Sequence, residues 1–246
     1  MYIVLLTAVG VGGATIFGAA FGFVFKGVAR KYSDIVLAFS GGVMLIASIN
    51  GLILPSLEYE SPLVLPISIF GIFFGAILIF FLDKLVPCLT AFNRGCSQNE
   101  KRCRVLLFTL AIAIHNLPEG IAAGVGFGSG DVGSAVTLAL GIALQNIPEG
   151  MVLIPPMLSA GFSPGRTFLY AALTGVIEII GTFIGYFAVN VARGFLPFAL
   201  AAAGGCMLYV INDEIIPETH GEGKKMGVSF AFFVGFCFML ALSFLI

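Results

Sequence analysis

The chain has 246 residues, of which 59% are hydrophobic and only 10% are charged, and its mean hydropathy is +1.08. A soluble domain carries about 25% charged residues. A soluble fold of this length could not bury so much apolar surface, so the composition indicates an integral membrane protein. The formal net charge of -1 argues against a nucleic-acid partner.

Eight apolar stretches are long enough to cross a bilayer as helices, because a crossing needs about 20 such residues. The predicted spans, numbered 1 to 8 in chain order, cover residues 2–25, 35–57, 65–87, 105–127, 133–158, 167–192, 196–216 and 227–246. The connections between the spans are short. We therefore expect an all-α integral membrane protein with a single transmembrane domain over residues 1–246.

The distribution of basic residues predicts the orientation of the spans. Of the 12 Lys and Arg residues, only Arg193 lies on one side of the predicted membrane. The others lie on the opposite side: Lys26, Arg30, Lys31, Lys84, Arg94, Lys101, Arg102, Arg104, Arg166, Lys224 and Lys225. Because cytoplasmic loops carry the excess of Lys and Arg, this side is predicted to be cytoplasmic, with both termini extracytoplasmic.

The sequence contains an internal repeat with an offset of 163 residues. The matches pair Gly18 and Gly22 with Gly181 and Gly185, "VAR" at 28–30 with "VAR" at 191–193, and "GGVML" at 41–45 with "GGCML" at 204–208. Spans 1 to 3 thereby correspond to spans 6 to 8, and the odd number of intervening spans inverts the copies. Spans 4 and 5 also resemble each other. We expect a 3+2+3 inverted-repeat arrangement, which is typical of secondary transporters with a site near the bilayer midplane.

Spans 4 and 5 are each interrupted by a polar motif, "HNLPEG" at 115–120 and "QNIPEG" at 145–150. Glu119, Glu149 and Glu178 fall near span centres, where an acidic residue costs about 2.5–3.5 kcal/mol on insertion scales. No Lys or Arg lies near the centre of a predicted span. These carboxyl groups must therefore be protonated or share a cation.

The spacing within the motifs favours a cation. His115 and Glu119 are four residues apart and share a helix face, as do Gln145 and Glu149. The proline of each motif cannot donate a backbone hydrogen bond, so it should kink its helix and loosen a carbonyl group. Imidazole, carboxylate and amide ligands together suit a divalent transition metal such as zinc, with cadmium, iron or manganese open. Metal affinity should fall below about pH 6, because these ligands must lose protons to bind.

Two other interpretations of the motifs stay open, and a third is disfavoured. The polar side chains could only hold helices together by hydrogen bonds, or the carboxylates could carry protons or monovalent cations. An intramembrane metalloprotease would need H-E-x-x-H, whereas His115 is followed by Asn116, so we do not expect an enzyme. The sequence also lacks an ATP-binding G-x-x-x-x-G-K-[ST] loop.

The paired motifs resemble those of the ZIP (Zrt/Irt-like) metal transporters, and Gln145 is most similar to the GufA-like branch. The resemblance covers nearly the whole chain. It implies uptake of divalent metal into the cytoplasm, with no cofactor besides the transported ion. It also implies a first metal position at His115, Glu119, Gln145 and Glu149, and a second at Asn116, Asn146 and Glu178, with Glu119 and Glu149 bridging.

The resemblance carries further expectations. Relatives can have Asp in place of Asn146, so this chain lacks one negative charge at the second position. "NDEIIPETH" at 212–220 resembles the end of the family's seventh span, and implies a cytoplasmic exit at Asp213, Glu214, Glu218 and His220. At the outer side, Asn50, Glu58 and Glu60 could attract cations. The resemblance further implies a cell-membrane homodimer in which spans 1, 4, 5 and 6 move, like an elevator, against spans 2, 3, 7 and 8.

Overall fold

The computed structural model describes residues 1–91, 100–127, 132–191, 193–220 and 226–245. Within these ranges all regular structure is helical, and no strand is present. Eight helices are long and apolar enough to cross a membrane. The prediction of an all-α protein with eight spans is therefore confirmed.

The observed helices lie close to the predicted spans. In chain order, spans 1 to 8 contain the helices Tyr2–Val24, Lys26–Ser48, Val64–Ala91, Glu100–Gly126, Val132–Ser159, Pro164–Val191, Leu196–Val210 and Met226–Leu245. The largest difference is at span 2, whose helix begins at Lys26 rather than at residue 35. A break at Tyr32 (φ -119°, ψ 17°) separates its basic first turns from the apolar part that could cross the membrane.

Spans 2 and 7 each contain a π-helical turn that the sequence analysis did not predict. These turns are Ile49–Ile53 and Ile211–Ile215, and short α-helices, Leu54–Leu57 and Ile216–Thr219, continue the two spans. A proline follows each turn, at Pro55 and Pro217. Because proline lacks an N–H group and crowds the preceding turn, it disfavours regular α-helical bonding there. The local widening is a π bulge, a feature that is frequent at functional sites.

The spans pack in two groups. Span 1 packs against spans 5 and 6, and span 4 packs against span 6. Span 2 packs against spans 7 and 8, and span 3 packs against span 7. Contacts between spans 2 and 5 and between spans 4 and 7 join the groups. These pairings are the ones that an exchange of spans 1 to 3 with spans 6 to 8 would require. They support the 3+2+3 arrangement, which itself stays a prediction.

The prolines of the two motifs were expected to kink their helices. The helices of spans 4 and 5 run continuously through Pro118 and Pro148. The prolines therefore do not end either helix.

The predicted orientation depends on the basic residues. Arg94, Lys224 and Lys225 lie outside the described residues, and so do the side chains of three other basic residues, Arg30, Arg104 and Arg193. The side assigned to the cytoplasm therefore stays a prediction from the sequence.

Candidate functional site

The glycine of each motif allows a neighbouring span to approach closely. A Cβ atom added at Gly120 would lie 2.1 Å from the carbonyl oxygen of Glu178, and one added at Gly150 would lie 2.1 Å from that of Thr15. Such close backbone approach through small residues is a common way to pack helices in membranes. The two glycines thus place span 6 against the first motif and span 1 against the second.

The structure buries all seven side chains that were predicted to surround a metal ion. They come from spans 4, 5 and 6: His115, Asn116, Glu119, Gln145, Asn146, Glu149 and Glu178. Each carboxyl group of this set is at most 7% exposed. Bulk solvent therefore relieves little of the cost of placing acidic groups there, so other groups must offset most of it.

Hydrogen bonds join the two motifs to each other and to spans 1 and 6. Nε2 of Gln145 donates to Oε1 of Glu119 at 2.7 Å. Nδ2 of Asn146 donates to Oε1 of Glu178 and also to the carbonyl oxygen of Val11, at 3.2 Å from the latter. These bonds bring the predicted second-position residues Asn146 and Glu178 into direct contact.

Thr15 is a member of the site that the sequence analysis missed. Its hydroxyl Oγ1 donates to Oε2 of Glu178 at 3.0 Å. The internal repeat offered a signal, because Thr15 and Glu178 are separated by the repeat offset of 163 residues. The hydroxyl group and the carboxylate therefore occupy corresponding positions in spans 1 and 6.

The central residues also contact the predicted exit. Nε2 of His115 lies 2.5 Å from Oε1 of Glu214, which belongs to the π turn of span 7. Asp213 in the same turn accepts a 3.1 Å hydrogen bond from the hydroxyl group of Tyr209. Glu214 thus connects the two groups of spans at the depth of the first motif.

A cavity of about 340 Å³ joins the central residues to the exit residues. Its polar lining consists of His115, Glu119, Glu149, Asp213, Glu214 and Glu218. A second cavity of about 720 Å³ shares Leu37, Phe108 and Glu218 with it and continues to Ser33 and Asp34, on the side predicted to be cytoplasmic. Three of the four predicted exit residues therefore line one cavity with the central residues.

The remaining predicted residues lie elsewhere. His220 is not among the described residues that line this cavity, and its Nδ1 lies 3.0 Å from the carbonyl oxygen of Ile216. Asn50 and Glu58 line a separate cavity of about 320 Å³ next to the π turn of span 2. Glu60 is exposed and is not part of that lining.

Several buried oxygen atoms suit a cation. Within the described part of the chain, Oδ1 of Asn116, Oε2 of Glu119, Oε1 of Gln145 and Oδ1 of Asn146 have no hydrogen-bond donor. A buried acceptor left without a partner costs about 1–3 kcal/mol. A divalent ion would satisfy such oxygens, and the imidazole and carboxylate groups beside them are ligands for zinc.

The present arrangement does not gather a complete set of ionisable ligands. Among the described residues, no group of three or more His, Cys, Asp and Glu side chains is placed to hold one ion. His115 contacts Glu214, and Glu119 accepts a hydrogen bond from Gln145. A complete set therefore requires amide oxygens, movement of these side chains, or both.

Eight candidate membrane spans around a buried polar cluster define a multi-pass membrane protein with an internal site, a construction typical of transporters. Residues 93–243 match the family model of the ZIP zinc transporters. The human zinc transporter ZIP11 is 31% identical, over 94% of this chain and 93% of its own length. The zinc transporter ZIPB of Bordetella bronchiseptica is 34% identical, over 93% of this chain and 76% of its own length.

The chain therefore belongs to the ZIP family of zinc transporters. A third relative, the zinc transporter GufA of Myxococcus xanthus, is 39% identical over 56% of this chain and 54% of its own length. The resemblance seen in the motifs is confirmed by these matches. The family and these relatives are transporters by name, which supports divalent metal transport by this chain.

Proposed function

We propose that this chain carries divalent transition-metal cations into the cytoplasm, with zinc as the main substrate and cadmium, iron and manganese as further substrates. The proposed site lies on spans 4 and 5 and is completed by span 6. The observation that carries the proposal is the set of four buried acceptor oxygens without donors beside three carboxyl groups and an imidazole. A cation is the ligand that would stabilise all of these groups together.

The first metal position is proposed at His115, Glu119, Gln145 and Glu149. His115, Glu119 and Glu149 line the central cavity, and the free amide oxygen of Gln145 lies on the side chain that donates to Glu119. Two carboxylates, one imidazole and one amide oxygen form a four-ligand set, the usual number for zinc. Asn116, Asn146 and Glu178, at the second position, complete the proposed polar shell.

The cavities and the basic residues support the proposed direction of transport. The central cavity continues towards the side that the positive-inside rule assigns to the cytoplasm. An ion that leaves His115 in that direction next meets Asp213, Glu214 and Glu218. We propose that these carboxylates receive the ion, and that both termini are extracytoplasmic.

The two packing groups support the proposed motion. Spans 1, 4, 5 and 6 would move as one unit against spans 2, 3, 7 and 8, and would carry the ion with them. We also propose a homodimer in the cell membrane, a transporter without enzymatic activity, and no cofactor besides the transported ion. Cross-linking in native membranes tests the dimer.

The proposed function is tested by metal uptake into proteoliposomes that contain a metal-sensitive dye. The wild type is compared with His115→Ala and Glu149→Ala, and with Glu60→Ala as a control that is exposed and outside the cavity linings. We expect zinc and cadmium entry with the wild type and the control, and none with the two site variants. Equal flux through the site variants, from protein shown to be folded, would contradict the proposed site.

A proton or monovalent-cation transporter is the second candidate. Two observations favour it. Amide groups of the motifs already donate hydrogen bonds to carboxyl groups, and the described residues do not bring three ionisable metal ligands together. The same vesicles loaded with a pH dye distinguish the two candidates. Proton flux that is insensitive to zinc and cadmium would support the second candidate and contradict the first.

A further inference from the structure

Glu178 differs from the other central carboxyl groups in that both of its oxygens receive a hydrogen bond. Oε2 accepts from the hydroxyl group of Thr15 at 3.0 Å, and Oε1 accepts from the amide nitrogen of Asn146. Glu178 itself is fully buried, as are both of its partners. A carboxylate with two such donors is already stabilised without a metal ion.

The amide of Asn146 faces Glu178 with its nitrogen. The same Nδ2 atom lies 3.2 Å from the carbonyl oxygen of Val11, which can only accept. Two acceptors around one amide atom identify that atom as the donor nitrogen. A metal ligand would have to present its oxygen instead. On the side that faces Glu178, Asn146 therefore presents its nitrogen, and its donor-free Oδ1 is not the atom in contact with that carboxylate.

Thr15 and Glu178 are held in these positions by their own backbones. The Thr15 carbonyl group lies against Gly150, and the Glu178 carbonyl group lies against Gly120, closely enough to exclude a Cβ atom at either glycine. Between these two contacts, spans 1 and 6 also pack against each other. The hydroxyl group of Thr15 is therefore fixed beside the carboxylate by helix packing rather than by a flexible loop.

We propose that Thr15 is a positioning residue that, together with Asn146, holds Glu178 out of metal coordination, so that the site takes one divalent cation per chain. This inference rests on the proposed function. The hydroxyl hydrogen of Thr15 and an amide hydrogen of Asn146 occupy the positions beside the Glu178 oxygens that a second cation would need. An ion at the second position must displace both donors, whereas the first position keeps the free oxygen of Glu119.

The test is the stoichiometry of cadmium bound to purified full-length protein in lipid nanodiscs. It is measured by equilibrium dialysis with elemental analysis and by calorimetry. Thr15→Val removes the hydroxyl group and keeps the shape, Thr15→Ser keeps the hydroxyl group, and Asn146→Asp replaces the amide donor by a second carboxylate without changing Thr15. Thermal unfolding of each variant in nanodiscs verifies that it is folded.

We expect one cadmium ion per chain for the wild type and for Thr15→Ser. Thr15→Val should bind a second, weaker ion, because Oε2 of Glu178 becomes available, and Asn146→Asp should bind two. A packing defect alone would reduce binding and could not add an ion. An increase in the number of bound ions in Thr15→Val, and its absence in Thr15→Ser, therefore distinguishes positioning from a structural role.

Each contrary result has a separate meaning. Two ions bound to the wild type would overturn the inference and leave the proposed function intact. If Thr15→Val and Asn146→Asp each bind one ion, the inference is also overturned. If only Thr15→Val binds one ion, the role proposed for Thr15 is overturned. No ion bound to the folded wild type would contradict the proposed function as well.

Discussion

Nε2 of His115 lies 2.5 Å from Oε1 of Glu214, and this contact joins span 4 to the π turn of span 7. A metal ion bound through this nitrogen would take the place of Glu214. If His115 binds the metal as we propose, metal binding through Nε2 and this contact between the two groups of spans exclude each other. The carboxylate that His115 gives up then lies in the same cavity, on the predicted path of release.

Glu214→Gln tests the proposed release step. Without the negative charge of Glu214, the ion should leave the central ligands more slowly. The maximal uptake rate should therefore fall by a factor of about 1.4 to 5, as expected for one partly exposed charge interaction of about 0.2–1 kcal/mol. The KM should change less. Initial uptake rates over a range of zinc concentrations measure both, and Glu60→Gln is the matched control on the other side. An unchanged maximal rate would contradict a role of Glu214 in release.

Metal binding should release protons. His must be neutral and Glu ionised to coordinate a metal, so zinc and protons compete for the same atoms. We expect at least about one proton released per ion at pH 6, fewer at pH 8, and an affinity that rises with pH over this range. Calorimetry in two buffers of different ionisation enthalpy gives the number directly. Binding without proton release at either pH would contradict this prediction.

Gly150→Ala should destabilise the protein strongly. The added methyl group would lie 2.1 Å from the Thr15 carbonyl oxygen, which is backbone and cannot move aside alone. Overpacking of this kind costs about 1–3 kcal/mol. Thermal unfolding in detergent measures the effect, and Gly13→Ala in span 1 is the control, because a Cβ atom there meets nothing within 4 Å. Equal unfolding temperatures of the two variants would show that spans 1 and 5 are less closely packed.

Arg102→Gln should lower stability without changing metal affinity. The Arg102 side chain donates to the carbonyl oxygens of Ala160, at 3.1 Å, and Gly161, at 2.9 Å, just after the helix of span 5 ends. Hydrogen bonds and charge at a helix C-terminus contribute about 1–2 kcal/mol together. The unfolding temperature should therefore fall by a few degrees, whereas Lys101→Gln, an exposed neighbour, should have little effect. A change in the cadmium dissociation constant of Arg102→Gln would point to a longer-range role.

The spans, and the set of buried polar residues that forms the candidate site, could be predicted from the sequence because both depend on local composition. A run of apolar residues is sufficient to indicate a span, and two N-x-P-E-G motifs at equal depth are sufficient to indicate a shared site. Thr15 was missed because a hydroxyl group in an apolar helix usually bonds to its own backbone. Only the approach of span 6 to span 1 reveals that it reaches Glu178 instead.

The π turns and His220 illustrate two further limits. Both turns share the pattern I-N-x-x-I-[LI]-P, at 49–55 and 211–217, so the sequence contains a signal common to the two turns. His220 was grouped with the acidic residues because it is near them in sequence. Its ring instead contacts the carbonyl oxygen of Ile216, the first residue of the short helix that His220 follows. The direction of a side chain decides such a contact, and sequence spacing does not determine it.

The two π turns also occupy different positions within the two halves of the repeat. Ile49 follows Gly42 by seven positions, whereas Ile211 follows Gly205 by six. One residue in a helix corresponds to a rotation of about 100°. Span 2 and span 7 therefore present their turns in different directions relative to their matching glycines. Any alignment of the two halves needs a gap in this interval. A single insertion or deletion there would redirect the π turn of one span while leaving that of the other span unchanged.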